Sequence, residues 1–182
     1  MSAYIELSQK AKQELELSGA SVNELELDDA RVLAWVERWR GAQLGESAQG
    51  DWAPVDATVS FADGMQAAKS VRMNITLLLD YVMPDLEGHP YWIAFAQALS
   101  SKFAPVIISI EPQSSQLSFT YEQLLYEGTD PQVALYCEKL AYLASVAIPA
   151  IARIRLEAWT LDDVRNLAQQ VLNEALTLGY QQ

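Results

Sequence analysis

The stretch 133–154, VALYCEKLAYLASVAIPAIARI, decides the fold that the sequence predicts. It is apolar almost all round, and its polar exceptions are Glu138, Lys139, Ser145 and Arg153. A helix that is apolar on every side is expected at the centre of a helical bundle. Asp130-Pro131 predicts its start, because proline in a first turn needs no amide partner. Pro149 is expected to kink or split the helix.

Five more helices are predicted outward from this one, at 4–18, 28–40, 60–82, 91–103 and 160–178. Three of them follow apolar stripes at helical spacing. These stripes are Val32, Trp35, Val36 and Trp39; Ala68, Val71, Ile75, Leu78 and Val82; and Leu161, Val164, Ala168, Val171, Ala175 and Leu178. The last helix also begins with the capping-box spacing Thr160-Leu161-Asp162-Asp163, with Asp in place of Glu.

Two segments depart from the helical pattern. Residues 106–110 and 117–121 are rich in β-branched and aromatic residues, which predicts a β-hairpin near 106–121. Residues 41–57 hold three glycines and Pro54 without any sustained period, which predicts an irregular loop.

The predicted fold is therefore one mostly α domain spanning residues 1–182, a bundle of about six helices with a hairpin near 106–121. An α+β domain with a small antiparallel sheet is the alternative, since residues 21–27 and 58–61 could add strands. The eight-residue segments 27–34 and 161–168 are identical at six positions. We interpret this likeness as convergence of two helix starts, which favour acidic residues, rather than as a duplicated unit.

The charge is strongly acidic, with 24 Asp and Glu against 12 Lys and Arg and a net charge of −12. Phosphate backbones and anionic lipids repel such a surface, so nucleic acids and membrane surfaces are not expected partners. Acidity either keeps the protein soluble or forms a face for a basic partner. The longest apolar stretch, 140–152, is shorter than the roughly 20 residues that cross a bilayer. A cytoplasmic location is expected.

Several classes of chemistry lack their residues. Cys137 is the single cysteine and His89 the single histidine, which excludes an intramolecular disulfide and metal centres built from several of either. Phosphate-binding glycine loops and the Gly-x-Ser-x-Gly elbow are missing from the sequence. We therefore expect no metal and no cofactor, and a protein that is not an enzyme.

One cluster could still support catalysis. The polar residues around Pro84 and Gly88 are Asp80, Asp85, Glu87 and His89. Carboxylates and an imidazole at a helix end can act as acid and base or hold a divalent cation. The alternative is a polar turn that caps two helices.

The candidate partner-binding residues are Glu24, Glu26, Asp28, Asp29 and Trp52. The four acids belong to residues 13–30, a run with six acids and no base. Trp52 lies in the predicted loop, where an exposed aromatic side chain can anchor a partner. The alternatives are a solvated acidic face and a tryptophan that packs in the core.

These observations favour a non-enzymatic acidic protein-binding module, such as an adaptor, a chaperone-like factor or an inhibitor, acting on a protein partner that is basic. A homodimer stays open, because periodicity does not say whether an apolar stripe is buried within or between chains. The first alternative is a small metal-dependent or acid/base hydrolase that uses the 80–89 cluster. The second is a small-ligand sensor with a pocket lined by aromatic residues.

Overall fold

The computed structural model describes residues 3–40, 52–64, 70–82, 90–110, 116–126, 128–156 and 160–177. Its elements, in chain order, are α1 Ala3–Leu17, β1 Asn23–Glu26, β2 Ala30–Arg40, β3 Trp52–Asp63, β4 Val71–Val82, α2 Pro90–Lys102, β5 Val106–Ile110, β6 Gln116–Leu125, α3 Val133–Leu156 and α4 Leu161–Thr177.

The fold is α+β, so the predicted mostly α, all-helical bundle of about six helices is wrong. The described residues form a six-stranded antiparallel sheet and four helices. Two predicted helices are strands: residues 30–40 of the predicted helix 28–40 form β2, and the predicted helix 60–82 covers the end of β3 and all of β4. The buried residues of these segments alternate instead of following the helical stripes: they are Leu33 and Trp35 in β2, and the odd-numbered residues from Val71 to Leu79 in β4.

The sheet order is β1-β2-β3-β4-β6-β5. A tight turn at Asp28-Asp29 joins β1 to β2, where the Leu27 N–H donates to the Ala30 carbonyl at 2.9 Å. The register is regular from β2 to β4, with Ala34 opposite Thr58 and Thr58 opposite Thr76. The pairing of β4 with β6 shifts between Leu78 and Val82. The predicted hairpin near 106–121 is confirmed by β5 and β6, which pair with Ile108 opposite Phe119.

One face of the sheet carries the core. Alternate residues of each long strand are buried there, and they include Val55, Val59 and Phe61 in β3, Val71, Met73, Ile75, Leu77 and Leu79 in β4, and Leu117 and Phe119 in β6. Helices α1 and α3 pack on this face, while α2 lies beside β5 and α4 packs on α2 and α3. The opposite face has no helix over it in the described part of the chain, and we call it the open face.

The four helices match the predictions at 4–18, 91–103, 133–154 and 160–178. Helix α3 runs through Pro149 without a break in its assigned span. The capping box of α4 is confirmed: the Asp163 amide donates to Thr160 Oγ1 at 3.2 Å, and the Thr160 amide donates to Asp163 Oδ2 at 2.8 Å. The Thr160 hydroxyl also donates to Asp163 Oδ2 at 2.6 Å, and this bond together with the one from the Thr160 amide lowers the pKa of Asp163.

The start of α3 is closed by a residue from α1. Glu14 accepts hydrogen bonds from the amides of Val133, at 3.1 Å, and Ala134, at 2.9 Å. A carboxylate at this position satisfies amides that lack partners within the helix and complements the positive end of its dipole. Glu14 therefore joins α1 to α3.

No helix among the described residues is both long enough and apolar enough to cross a membrane.

Candidate binding surface

The outer edge of β2 extends beyond its neighbour β1. Strand β1 pairs with β2 only from Arg31 to Ala34, whereas β2 continues to Arg40. Within the described residues, no strand pairs with this side of β2 beyond Ala34. We call residues 36–40 of β2 the β2 edge.

The hydrogen-bonding direction of the β2 edge follows from the β1–β2 turn. The pair Leu27 and Ala30 is hydrogen-bonded, so even-numbered residues of β2 direct their N–H and C=O groups towards β1, because successive residues of a strand alternate between its two edges. The same alternation directs the backbone groups of Val36, Arg38 and Arg40 outwards, away from β3. The Val36 side chain is 54% exposed.

A cleft of about 960 Å³ lies at the beginning of this edge. Its walls are the α1–β1 connection on one side and β2 and β3 on the other; they include Ser18, Gly19, Ser21, Asn23, Val36 and Asp56. These side chains are short, and Asp56 is the only ionisable one among the residues that line the cleft. The cleft can therefore accept a chain passing along the β2 edge.

The shape of the α1–β1 connection depends on Gly19. Its φ is +93°, a conformation that glycine adopts without strain. The Gly19 amide donates to Glu16 O at 3.0 Å and the Ala20 amide donates to Leu15 O at 3.0 Å, which is the Schellman arrangement that ends a helix. The turn moves the chain away from α1 before β1 begins.

The opposite edge of the sheet is closed. The Ile108 amide of β5 donates to Ser100 Oγ of α2 at 2.8 Å, and the same hydroxyl lies 3.4 Å from the Ile108 carbonyl. Ser100 thus occupies both backbone groups of a residue that a further strand would need. Proteins commonly protect sheet edges in this way. Among the described residues, the β1–β2 side of the sheet has no such contact from a helix.

Two of the predicted partner-binding acids are engaged within the chain. Glu24 on β1 accepts from Lys12 Nζ at 3.0 Å and from Arg31 Nη1 at 2.6 Å, and Glu26 accepts from Arg31 Nη2 at 2.8 Å. The hydrogen bond from Lys12 lowers the pKa of Glu24, and Arg31 lowers it further, against burial, which raises it. This ion-pair cluster reduces the charge that Glu24 and Glu26 present to a partner.

The other three predicted partner-binding residues lie near the two ends of strand β2. Asp28 and Asp29 are exposed in the turn between β1 and β2. Trp52 is the first residue of β3, opposite Arg40 in the register. The predicted irregular loop 41–57 is thus strand from residue 52 onwards, and 41–51 lies outside the described residues.

The predicted catalytic cluster cannot be assembled from the described residues. Asp80 belongs to β4, and Asp85, Glu87 and His89 lie outside the described ranges. Elsewhere in those ranges, no group of three or more His, Cys, Asp or Glu residues is arranged to hold a metal ion. Cys137 is buried in α3, as an inert structural cysteine would be. The hydrolase hypothesis stays a prediction.

Comparison with known proteins adds no relationship: no protein-family model matches the sequence, and no curated protein is significantly similar to it.

Neither the β2 edge nor the cleft was predicted from the sequence. The available signal was alternation in Val55, Ala57, Val59 and Phe61, and in the five alternate apolar residues of β4 from Val71 to Leu79. Two neighbouring strands of this kind predict a sheet. Because β1 has four residues and β2 has eleven, the outer edge of β2 extends beyond β1 in the described part of the chain.

Proposed function

We propose that the protein is a non-enzymatic protein-binding module that takes an extended segment of a partner protein as an additional strand along the β2 edge. The observation that carries this proposal is the length of β2 beyond the end of β1. Strand addition to an exposed sheet edge is a recurring mode of peptide recognition, in which backbone hydrogen bonds give affinity and side-chain pockets give specificity.

The surroundings of the β2 edge support this mode. The cleft offers space beside Val36 for a partner side chain, and its small lining residues leave the path along the strand unobstructed. Trp52, at the far end of the edge in the register, is the proposed aromatic anchor. Closure of the β5 edge by Ser100 directs an added strand to β2.

The partner is proposed to be basic and the complex to form in the cytoplasm. The support for a basic partner is the net charge of −12, together with the exposed pair Asp28 and Asp29 at the opposite end of β2. Charge complementarity of this kind increases association rates more than it increases affinity at equilibrium. The support for the location is the sequence, with its single cysteine and its short apolar stretches.

The test uses a random twelve-residue peptide library displayed on phage, selected against the wild-type protein. Selected peptides are then measured against Val36→Pro and the matched control Val36→Ala. Proline removes an outward N–H without touching the β2–β3 ladder, so we expect at least tenfold weaker binding to Val36→Pro and near-wild-type binding to Val36→Ala. Hydrogen exchange should show the Val36 amide protected by the peptide.

Two results would count against the proposal: a selection that yields no binder, or equal binding by the two variants. Repeating the measurement at about 0.5 M salt, where the Debye length is only a few ångströms, tests the charge of the partner. A basic peptide should lose association rate at high salt while the difference between the two variants persists.

A small-ligand sensor is the second candidate, and the observation in its favour is the cleft, whose 960 Å³ lies in the range of small-molecule sites. The one aromatic residue among those that line it, Trp35, is 3% exposed, so the aromatic lining that we expected of a sensor is weak. A metabolite that raises the melting temperature of the wild type, but not that of a variant with Asn23→Trp filling the cleft, would favour the sensor.

A further inference from the structure

The open face of the sheet has an uncharged centre. One register row crosses all six strands, and its residues are Asn23, Ala34, Thr58, Thr76, Thr120 and Ile107. The hydroxyl groups of Thr76 and Thr120 lie 3.3 Å apart and bond to each other, as do those of Ser109 and Ser118 at 2.8 Å. These four hydroxyl groups are thus bonded within the sheet.

The charges of this face lie away from its central row. Asp56, Arg72 and Glu122 belong to the face, and the last two form an ion pair at 3.5 Å. By register, Arg38 and Arg40 also belong to it, at the end of β2. By contrast, the exposed side of the single helix α4 holds Asp162, Asp163, Arg165 and Glu174. Depletion of charge at the centre of a surface is typical of protein–protein interfaces.

Apolar side chains surround the uncharged centre. Leu25, Val36, Ile107 and Leu124 are 58%, 54%, 48% and 38% exposed. By register they occupy β1, β2, β5 and β6, the strands on either side of the central pair β3 and β4. Small hydroxyl residues inside an apolar perimeter make a surface against which another sheet can pack at about 10 Å.

We propose that this open face is the interface of a homodimer in which the sheets of two copies pack face to face. Six strands about 4.8 Å apart and about eight residues long give a face of roughly 700–800 Å². A standard interface buries about 800 Å² per partner, so the area is sufficient for a stable dimer.

A second copy fits this face better than a foreign basic partner does. Two chains that each carry −12 repel one another, and association is least opposed where both surfaces are uncharged. A basic partner would instead select a surface rich in carboxylates, which this face lacks. A twofold dimer uses the same patch on both chains. Asn23, Ala34, Val36, Asp56 and Thr58 of this face also line the cleft, so dimer formation and partner binding at the cleft compete.

The experiment measures the mass of the full chain in solution by light scattering coupled to size exclusion, over about 1–100 µM. The wild type is expected at twice the chain mass of 20.2 kDa. Thr58→Lys, at the centre of the face, and Ile107→Lys, on β5, are each expected to raise the dimer dissociation constant at least tenfold, because each buries two unpaired ammonium groups per dimer.

Gln170→Lys is the matched control: it makes the same change in charge on an exposed position of α4 and should leave the dimer intact. Circular dichroism checks that each variant is folded, and the exposed Ile107 provides a second variant if Thr58→Lys does not fold. A monomeric wild type would overturn the proposal. So would a dimer unaffected by a folded face variant, or a dimer that dissociates only with Val36→Pro.

Discussion

At the scale of single residues, Glu14 is the clearest long-range contact in the molecule. Its carboxylate bonds two amides at the start of α3, 119 and 120 positions further along the chain. The sequence shows only one of several glutamates on an amphipathic helix, so spacing could not identify this role.

Replacing Glu14 with alanine is expected to lower the free energy of unfolding by about 1 kcal/mol, the usual cost of losing a helix N-cap. The amides of Val133 and Ala134 become solvated or unpaired, and α1 loses its hydrogen bonds to α3. Urea denaturation measures the effect, with Glu16→Ala as control because Glu16 is exposed on the same helix. Equal destabilisation by the two variants would show that the contact contributes nothing specific.

The ion-pair cluster of Lys12, Glu24 and Arg31 gives stability a pH dependence. Since the folded pKa of Glu24 is lowered, its contribution is fully present above the unfolded pKa of a glutamate, about 4.3, and is lost as pH falls through the folded value. Glu24→Gln should therefore be less stable than the wild type at pH 6–8, and the difference should shrink as pH falls below about 4.

Chemical denaturation at a series of pH values tests this expectation. Glu174→Gln, an exposed residue of α4, is the control and should show no such convergence. A stability difference for Glu24→Gln that stays constant down to pH 3 would contradict the assignment.

At the scale of elements, the contact between α2 and β5 closes one edge of the sheet through a single hydroxyl. Ser100→Ala leaves the Ile108 amide without this partner, and Ile108 is 4% exposed, so water has little access. We expect a loss of about 1–3 kcal/mol, the cost of an unsatisfied buried polar group. Hydrogen exchange at Ile108 and thermal unfolding report it.

Ser101→Ala is the matched control, since its hydroxyl donates to Ala98 O on the exposed side of the same helix. If Ser100→Ala is as stable as Ser101→Ala, the β5 edge is closed by packing alone.

The elements also explain which parts of the fold the sequence could predict. In β4, Val71 and Ile75 satisfy both a helical stripe and strict alternation, but Met73, Leu77 and Leu79 fit alternation alone. Counting every apolar residue, rather than those on one stripe, favours a strand. The helices α1, α3 and α4 were predictable because their segments have helix-capping residues or are longer than strands usually are.

The segments 27–34 and 161–168 show the limit of local sequence. They are identical at six of eight positions, yet the first forms a hairpin turn and strand, and the second forms the start of α4. Our interpretation of both as helix starts is wrong for the first. Thr160 supplies the cap that begins α4, whereas β3 supplies the pairing that holds β2 extended, and only the cap lies nearby in the sequence.

At the scale of the whole molecule, folding gives charged residues other neighbours than those they have along the sequence. The acidic run 13–30 is bounded by Lys12 and Arg31, and folding brings both bases onto Glu24. Counting charged residues only within 13–30 therefore leaves out the two bases that form ion pairs with Glu24 in the folded protein. Asp28 and Asp29 have the exposure that the acidic-patch hypothesis requires, and that hypothesis stays a prediction. The β2 edge could not be predicted from local sequence, because it depends on the relative lengths of two strands.

The link from Glu14 to Val133 has a consequence for biosynthesis. Helix α1 leaves the ribosome early, yet the amides that its glutamate must reach are translated 119 residues later. At roughly 5–20 residues per second, α1 waits on the order of ten seconds for its partner. During that interval the apolar side of α1, with Leu7, Ala11 and Leu15, has no α3 to pack against. Until α3 is made, helix α1 can pack only on the strands of the sheet that are translated before α3, chiefly β2 and β3.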